Sequence, residues 1–276
     1  MSPTARAQSI SWQRVSDGAG TYPTGIVFPG IDADTLRAGG IGEQVTTPYR
    51  ALLVTANGRR LLIDAGLGEL AAKTGGTAGR LVGELRALGI EPADVDDVIM
   101  THAHADHVGG LLTGGEPTFA DARHHLPRAE HDFWLGPAPQ ERLFPALADA
   151  MVATARTIIQ ALDGAGLLDV CEPGAQPANG VRLIDAPGHT PGHVAVEIDT
   201  GDETILYVAD AFVHELQLEH PDWTAAFDAD AAATVETRRR LLDHAVERGA
   251  TVVAFHVGRT GRVARVRSGY RLDPAT

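Results

Sequence analysis

The sequence predicts an α/β (α+β) chain whose strands and helices fall into two β-rich halves. Three observations carry this reading. Short apolar runs such as Leu61-Leu62-Ile63, Val98-Ile99-Met100 and Thr251–Phe255 have the length and β-branched content of buried strands. Between such runs lie stretches with apolar residues at helical spacing, at 77–88, 141–162 and 230–248. In both halves a strand gives way to a Gly- or Pro-rich turn that presents His or Asp. With 276 residues, 44% of them hydrophobic, the chain can bury a large core. We read one domain, 1–276, with halves at about 49–170 and 171–276.

Residues 1–48 are rich in Gly, Pro and Thr, with Trp12, Tyr22, Ile26, Val27 and Phe28 scattered among them. They predict an opening strand and then a long irregular segment, either a surface loop or a lid over a site. Ala51–Val54 and Arg60–Ile63 flank Asn57-Gly58, which suits the positive φ of a type I′ hairpin turn. Asp64 ends the second strand, as a turn residue or as a group orienting a loop nearby. The 77–88 helix turns Leu81, Leu85 and Leu88 inward and stops at Gly89. His124–Leu126 reads as a short edge strand and Glu130–Leu135 as a helical turn. His124, His125 and His131 read as structural or surface residues. The 141–162 helix has Leu147, Met151, Ile158 and Leu162 as its apolar face. A second half begins near Cys171. It holds a strand at Val181–Ile184 and a hairpin of Val194–Ile198 with Thr204–Val208. A 230–248 helix closed by Gly249 and the strand Thr251–Phe255 follow.

The chemistry concentrates in Thr101–Gly110. His102 and His104 stand two apart in extended chain, so both rings point to one side. Asp106 and His107 follow after the turn. Three imidazoles and a carboxylate at this density suit zinc or a similar divalent ion. A lone loop histidine is usually just solvated, but a group of four directly behind a buried strand needs partners. The set exceeds what one ion takes from so short a segment, so we read two adjacent sites, each completed from elsewhere. His189, Asp210 and His256 share one feature with this cluster: each directly follows an apolar strand. Strand ends at one edge of a sheet converge in space.

A formal net charge of −13 argues against nucleic-acid and acidic-membrane surfaces as partners. The sequence has no 18-residue apolar stretch, and residues 1–16 lack the apolar run of a secretory signal. The single cysteine, Cys171, leaves no internal disulfide and fits a reducing cytoplasm. Lys73 is the one lysine, a poor basis for Schiff-base chemistry, and no serine stands in a G-x-S-x-G elbow.

The H-x-H-x-D-H run at 102–107, Gly188-His189, Ala209-Asp210 and the late His256 resemble the metallo-β-lactamase-fold hydrolases. The match runs in order from about Ala51 to Tyr270. Pro187–His193 and Leu218–Trp223 resemble the branch holding quorum-quenching lactonases and methyl-parathion-hydrolase-like enzymes. The resemblance implies a four-layer αββα sandwich. It implies that His102, His104 and His189 bind one metal, that Asp106, His107 and His256 bind a second, and that Asp210 bridges both. The pair would be zinc, with manganese, iron or cobalt as alternatives. A hydroxide bridging the metals would attack a small ester-like substrate, a lactone of acyl-homoserine type first, with Asp106 as proton shuttle. Arylester or organophosphate hydrolysis and an iron-dependent dioxygenase or redox sensor are the alternatives. Family habit adds a homodimer. Only 20 residues follow His256, too few for the helical C-terminal domain of glyoxalase II. The position where many such lactonases carry a tyrosine after Asp210 holds Phe212. Trp134, Phe28, Phe212 and Trp223 are candidate pocket walls or core residues. His214 and His220 read as structural, and Arg259 as solvated or as lining the pocket mouth.

Overall fold

The structure, a computed structural model, describes residues 10–73 and 77–274; residues 1–9 of the N-terminal segment lie outside them. The first sheet contains β1 (Ile10–Pro23), β2 (Gln44–Ala56), β3 (Arg59–Ile63), β4 (Asp97–Ile99), β7 (Arg123–Pro127) and β8 (Leu168–Cys171), side by side in that order. The short helices α1 (Thr24–Val27) and α2 (Ala33–Ala38) separate β1 from β2. Helix α3 (Leu81–Ala87) precedes β4, and α4 (Ala105–Val108) and the small β5 (Leu112–Thr113) and β6 (Glu116–Pro117) follow it. Helices α5 (Arg128–Leu135) and α6 (Ala148–Gly164) lead to β8. The second sheet contains β9 (Val181–Asp185), β10 (Val194–Asp199), β11 (Thr204–Ala209), β12 (Thr251–Ala254), β13 (Gly261–Val266) and β14 (Gly269–Pro274), again in chain order. Between β11 and β12 lie α7 (Leu216–Glu219) and α8 (Ala231–Arg248).

Side-chain alternation assembles these pieces into four layers. Along β2, Ala51 and Leu53 pack outward with residues of α3 and α6, whereas Leu52 and Val54 pack against the second sheet. Along β11, Ile205 and Tyr207 face the first sheet, and Leu206 and Val208 face α8 residues such as Leu241 and Leu242. Each sheet is therefore covered on both faces, which is why its inner strands read as continuous apolar runs. The result is an αββα sandwich. No helix among the described residues is long and apolar enough to cross a membrane.

The Asn57-Gly58 turn forms as expected, with φ of 53° and 90°. Other expectations need correction. The N-terminal segment is not mostly irregular: β1 runs for 14 residues and pairs with β2 along its length. At its bulge, Asp17 is buried and accepts the N–H groups of Leu67, Gly79 and Leu81. That tether holds the chain before Leu81 as a loop, so the 77–88 helix shrinks to α3 and Leu88 is exposed. The 141–162 helix begins only at Ala148, because Pro145 has no N–H for a helical hydrogen bond before it. Strand β7 is not an edge: β8 docks beside it, so Cys171 belongs to the first sheet. The tail beyond Gly258, unassigned from sequence, forms β13 and β14.

His124 on β7 is fully buried. Burial pushes its pKa down to about 4. The unfolded chain then binds a proton that the folded chain refuses. Stability is untouched above about pH 6.5 and falls progressively as pH drops toward 4. We expect His124→Leu to remove up to about 3 kcal/mol of this acid-limb slope, at about 1.4 kcal/mol per pKa unit. Urea unfolding of wild type and variant between pH 7 and pH 4 reads it; parallel slopes would refute it.

Candidate metal centre

Both sheets deliver strand ends to one rim. Strands β3 and β4 are parallel neighbours, so Asp64 and the Thr101–His104 stretch leave the first sheet together. Strands β11 and β12 are parallel neighbours in the second sheet, with Ala209 opposite Ala254, so Asp210 and His256 also emerge together. His189 comes from the loop between β9 and β10. A turn of helix after His104 brings Asp106 and His107 back over the same point.

All seven sequence-predicted donors meet there. The donor atoms of His102, His104 and His189 lie within 4.8 Å of one another, as do those of His102, His107 and Asp210, and those of Asp106, His107 and His256. His104 Nδ1 stands 3.1 Å from His102 Nε2 and 3.0 Å from His189 Nε2. Asp210 reaches across the cluster. Its Oδ2 is 3.3 Å from both His189 Nε2 and His256 Nε2, and its Oδ1 is 3.2 Å from His107 Nε2. Asp106 Oδ2 is 3.3 Å from His256 Nε2.

The surrounding hydrogen bonds favour a proton on the outward nitrogen of His102, His107 and His189. Thr101 donates its hydroxyl proton to Asp64, so His102 Nδ1–H donates to the Thr101 oxygen at 3.1 Å. His107 Nδ1–H donates to Asp64 Oδ2 at 2.9 Å, and His189 Nδ1–H to Asp228 Oδ1 at 2.9 Å. His256 Nδ1 faces the Thr47 hydroxyl at 3.3 Å. Outward N–H bonds leave the Nε2 lone pairs pointing inward, the pattern of histidines set up for a cation. The residues fit such a group. With its proton on Nδ1, His107 turns the Nε2 lone pair onto Asp210 Oδ1 at 3.2 Å, two buried acceptors that need a proton or a cation between them.

The charges push the same way. Burial disfavours the imidazolium of His102 and His104 and holds their pKa values low. Burial also opposes charge on His256 and His189, but Asp210, with Asp106 for the former and Asp228 for the latter, outweighs it and lifts both to about 9. At His107 the carboxylates Asp210, Asp64 and Asp106 likewise outweigh burial. Asp106 falls to about 2, burial being overcome by His107 and His256. Without a cation, protons gather beside the carboxylates, and an ion entering must displace them.

Sequence reasoning left Asp64 between two roles; it is a fully buried carboxylate that accepts from Thr101, His107 and Tyr207. Asp228, Thr47 and His193 escaped notice. His193 donates Nδ1–H to Ala186 O and accepts the Asp210 N–H on Nε2 at 3.2 Å. That bond pins the peptide after Ala209, whose φ of 44° is strained for a residue with a side chain. The strand-loop phrase 187–193 was a signal for His193. Nothing local distinguishes Asp228 from an ordinary loop acid.

A cavity of about 230 Å³ opens beside Asp106, Asp210 and His256. Its apolar walls are Tyr22, Val27, Leu67, Leu147, Met151, Val213 and Phe227. None of Trp134, Phe28, Phe212 and Trp223 lines it. Trp134 and Phe212 are buried in the cores, and Phe28 packs edge-to-face on Trp223 with ring centroids 5.6 Å apart. His220 stacks on Trp223 and His214 accepts the Leu216 N–H, both structural, whereas Arg259 is exposed and pairs with Glu215 at the surface. Residues Tyr22, Val27 and Thr47 place the N-terminal segment at the cavity as a paired strand and its adjoining turn. Tyr22 and Tyr49 share a hydroxyl–hydroxyl hydrogen bond. Burial, and next the Asp106 charge, keep both phenols neutral.

Comparison with known proteins agrees with this geometry. A probable metallo-hydrolase of Mycobacterium tuberculosis is 30% identical over 140 residues, 49% of this chain. The chain spans 43% of that relative's length. An N-acyl homoserine lactonase of Rhizobium radiobacter is 27% identical over 243 residues, covering 79% of this chain and 84% of the relative. Among solved structures, the dizinc quorum-quenching lactonase AidC superposes with a TM-score of 0.89 at 22% identity, over 99% of this chain and 96% of that one. The hydrolase AbOPH gives 0.87 at 26% identity over the same shares. Residues 47–256 match the metallo-beta-lactamase superfamily, and the chain belongs to it.

Proposed function

We propose that this protein is a metal-dependent hydrolase that opens lactone rings, N-acyl homoserine lactones first, at a centre of two divalent cations. One observation carries the proposal: five imidazoles and two carboxylates converge beside an apolar cavity. His102, His104 and His189 would hold one ion, Asp106, His107 and His256 the other, and Asp210 both. Zinc suits this nitrogen and oxygen set, as do manganese, iron and cobalt. When bound, such a pair lowers the pKa of water toward neutral and polarises an ester carbonyl. The likeness to lactonases supports the substrate class.

The chain's own groups supply the rest. Asp106, a carboxylate lining the cavity, is an acceptor that can take a proton from the attacking water and return it to the leaving alkoxide. Of the paired phenols, the one that accepts keeps its own O–H for a substrate oxygen. The apolar walls take an acyl chain and keep bulk water from the reacting ester.

Protein loaded with zinc, manganese or cobalt is expected to release acid from acyl-homoserine lactones in a pH-stat, with Asp210→Ala at least about 100-fold slower. Failure on lactones and p-nitrophenyl esters alike, or oxygen uptake by iron-loaded protein without hydrolysis, would overturn the proposal. Asp64→Asn sets an amide N–H against His107 Nδ1–H and drives that proton to Nε2. We expect metal affinity about 10–100-fold weaker in a chelator competition. Leu147→Glu, at the exposed rim, should raise KM about tenfold for long acyl chains, since burying a few methylenes is worth about 1–2 kcal/mol. It should leave short-chain turnover nearly unchanged; equal effects on both would count against the wall assignment.

A further inference from the structure

Glu130, on α5, is fully buried and is none of the seven donors. Its Oε2 accepts the Ala103 N–H at 3.0 Å and the Trp134 indole N–H at 2.6 Å, and its Oε1 accepts the Gly192 N–H at 3.0 Å. Ala103 lies between His102 and His104, and Gly192 is three residues beyond His189. One carboxylate thus ties together the backbones that carry the three-histidine group, one loop from each sheet. The close approach needs glycine: a Cβ at Gly192 would come within 2.1 Å of the Glu130 backbone nitrogen. The groups that face Glu130, these N–H donors and the Thr190 hydroxyl, are all neutral. A buried carboxylate balanced only by dipoles is costly, and a cation nearby would relieve it. The three-histidine group that it braces is where such charge would sit.

We propose that Glu130 is a positioning residue, a strut that holds the Ala103 and Gly192 backbones at the separation at which His102, His104 and His189 share one ion. The inference rests on reading those histidines as ligands. Its test separates the two claims. In Glu130→Gln the single amide oxygen can serve Ala103 and Trp134, but its NH2 then opposes the Gly192 N–H. One loop tether is lost with little change of volume. Trp134→Phe removes the indole donor to the same carboxylate and trims the ring that packs edge-to-face on His104, but leaves both loop tethers, so it reports every loss around Glu130 except a tether.

Metal per chain would be measured by elemental analysis during timed chelator exposure, with the cobalt(II) absorption spectrum and the melting temperature of metal-free protein alongside. Wild type is expected to hold two ions. Glu130→Gln should shed one about 10–100-fold faster, the range for lost outer-shell partners, and keep the other at the wild-type rate. Trp134→Phe should melt lower yet lose neither ion faster. Wild-type loss rates for both ions in Glu130→Gln would overturn the strut and leave the metal reading standing. So would equal acceleration in Trp134→Phe. A wild type that takes up no ion would overturn both.

Discussion

The outward hydrogen bonds of the rim imidazoles govern everything else at this centre. Asp64 draws the His107 proton to Nδ1 and, through Thr101, the His102 proton as well; Asp228 does the same at His189. Each bond turns a lone pair inward. Gathering such lone pairs beside Asp106 and Asp210 in a dry place is unfavourable, at about 1–3 kcal/mol for each buried group left unsatisfied. Against a net stability of about 5–15 kcal/mol for a whole domain, several such groups weigh heavily. Protons relieve part of the strain, which is why His189 and His256 are lifted to about 9. A divalent ion relieves more, and by linkage its binding stabilises the fold that assembled the site.

Such a cluster needs a frame that does not relax. The two parallel pairs, β3 with β4 and β11 with β12, aim four chain segments at one rim without any loop having to reach far. Beneath the rim, Tyr207 of the second sheet donates its hydroxyl to Asp64 of the first at 2.9 Å. The carboxylate that sets two tautomers therefore also crosses the sandwich. Moving one sheet against the other would break this bond along with the ligand geometry.

The donor set was legible in sequence because its signal is local. An apolar run followed at once by His or Asp marks a strand end, and strand ends meet whatever the sheet order. The Asn57-Gly58 turn and the Asp230 to Gly249 helix limits were legible for the same reason, since caps and turns depend on neighbours in the chain. Residues whose role depends on distant pairing were not. The length of β1 follows from its register with β2, the interior place of β7 from β8, and the loop before α3 from Asp17 across the sheet. Hydrophobicity alone left the cavity walls open. Trp134 and Phe212, read as walls or core, sit in closed cores, whereas Leu147, partly exposed, forms the rim.

That last contrast divides the molecule by function. The ion-facing side is built wholly from the C-terminal ends of sheet strands and the turns they enter. The cavity wall comes from elsewhere: Tyr22 and Tyr49 from the β1–β2 ribbon, Leu147 and Met151 from the start of α6, Phe227 from the loop before α8. Groups on the first side are coupled through shared carboxylates, so a change at one disturbs the tautomers of the rest. Most wall residues on the second side touch one another mainly through apolar surface, as Phe227 touches Tyr22 and Phe144, and such contacts tolerate exchange if volume is kept. Side chains of the cavity wall can therefore change without disturbing the strand ends that carry the donors.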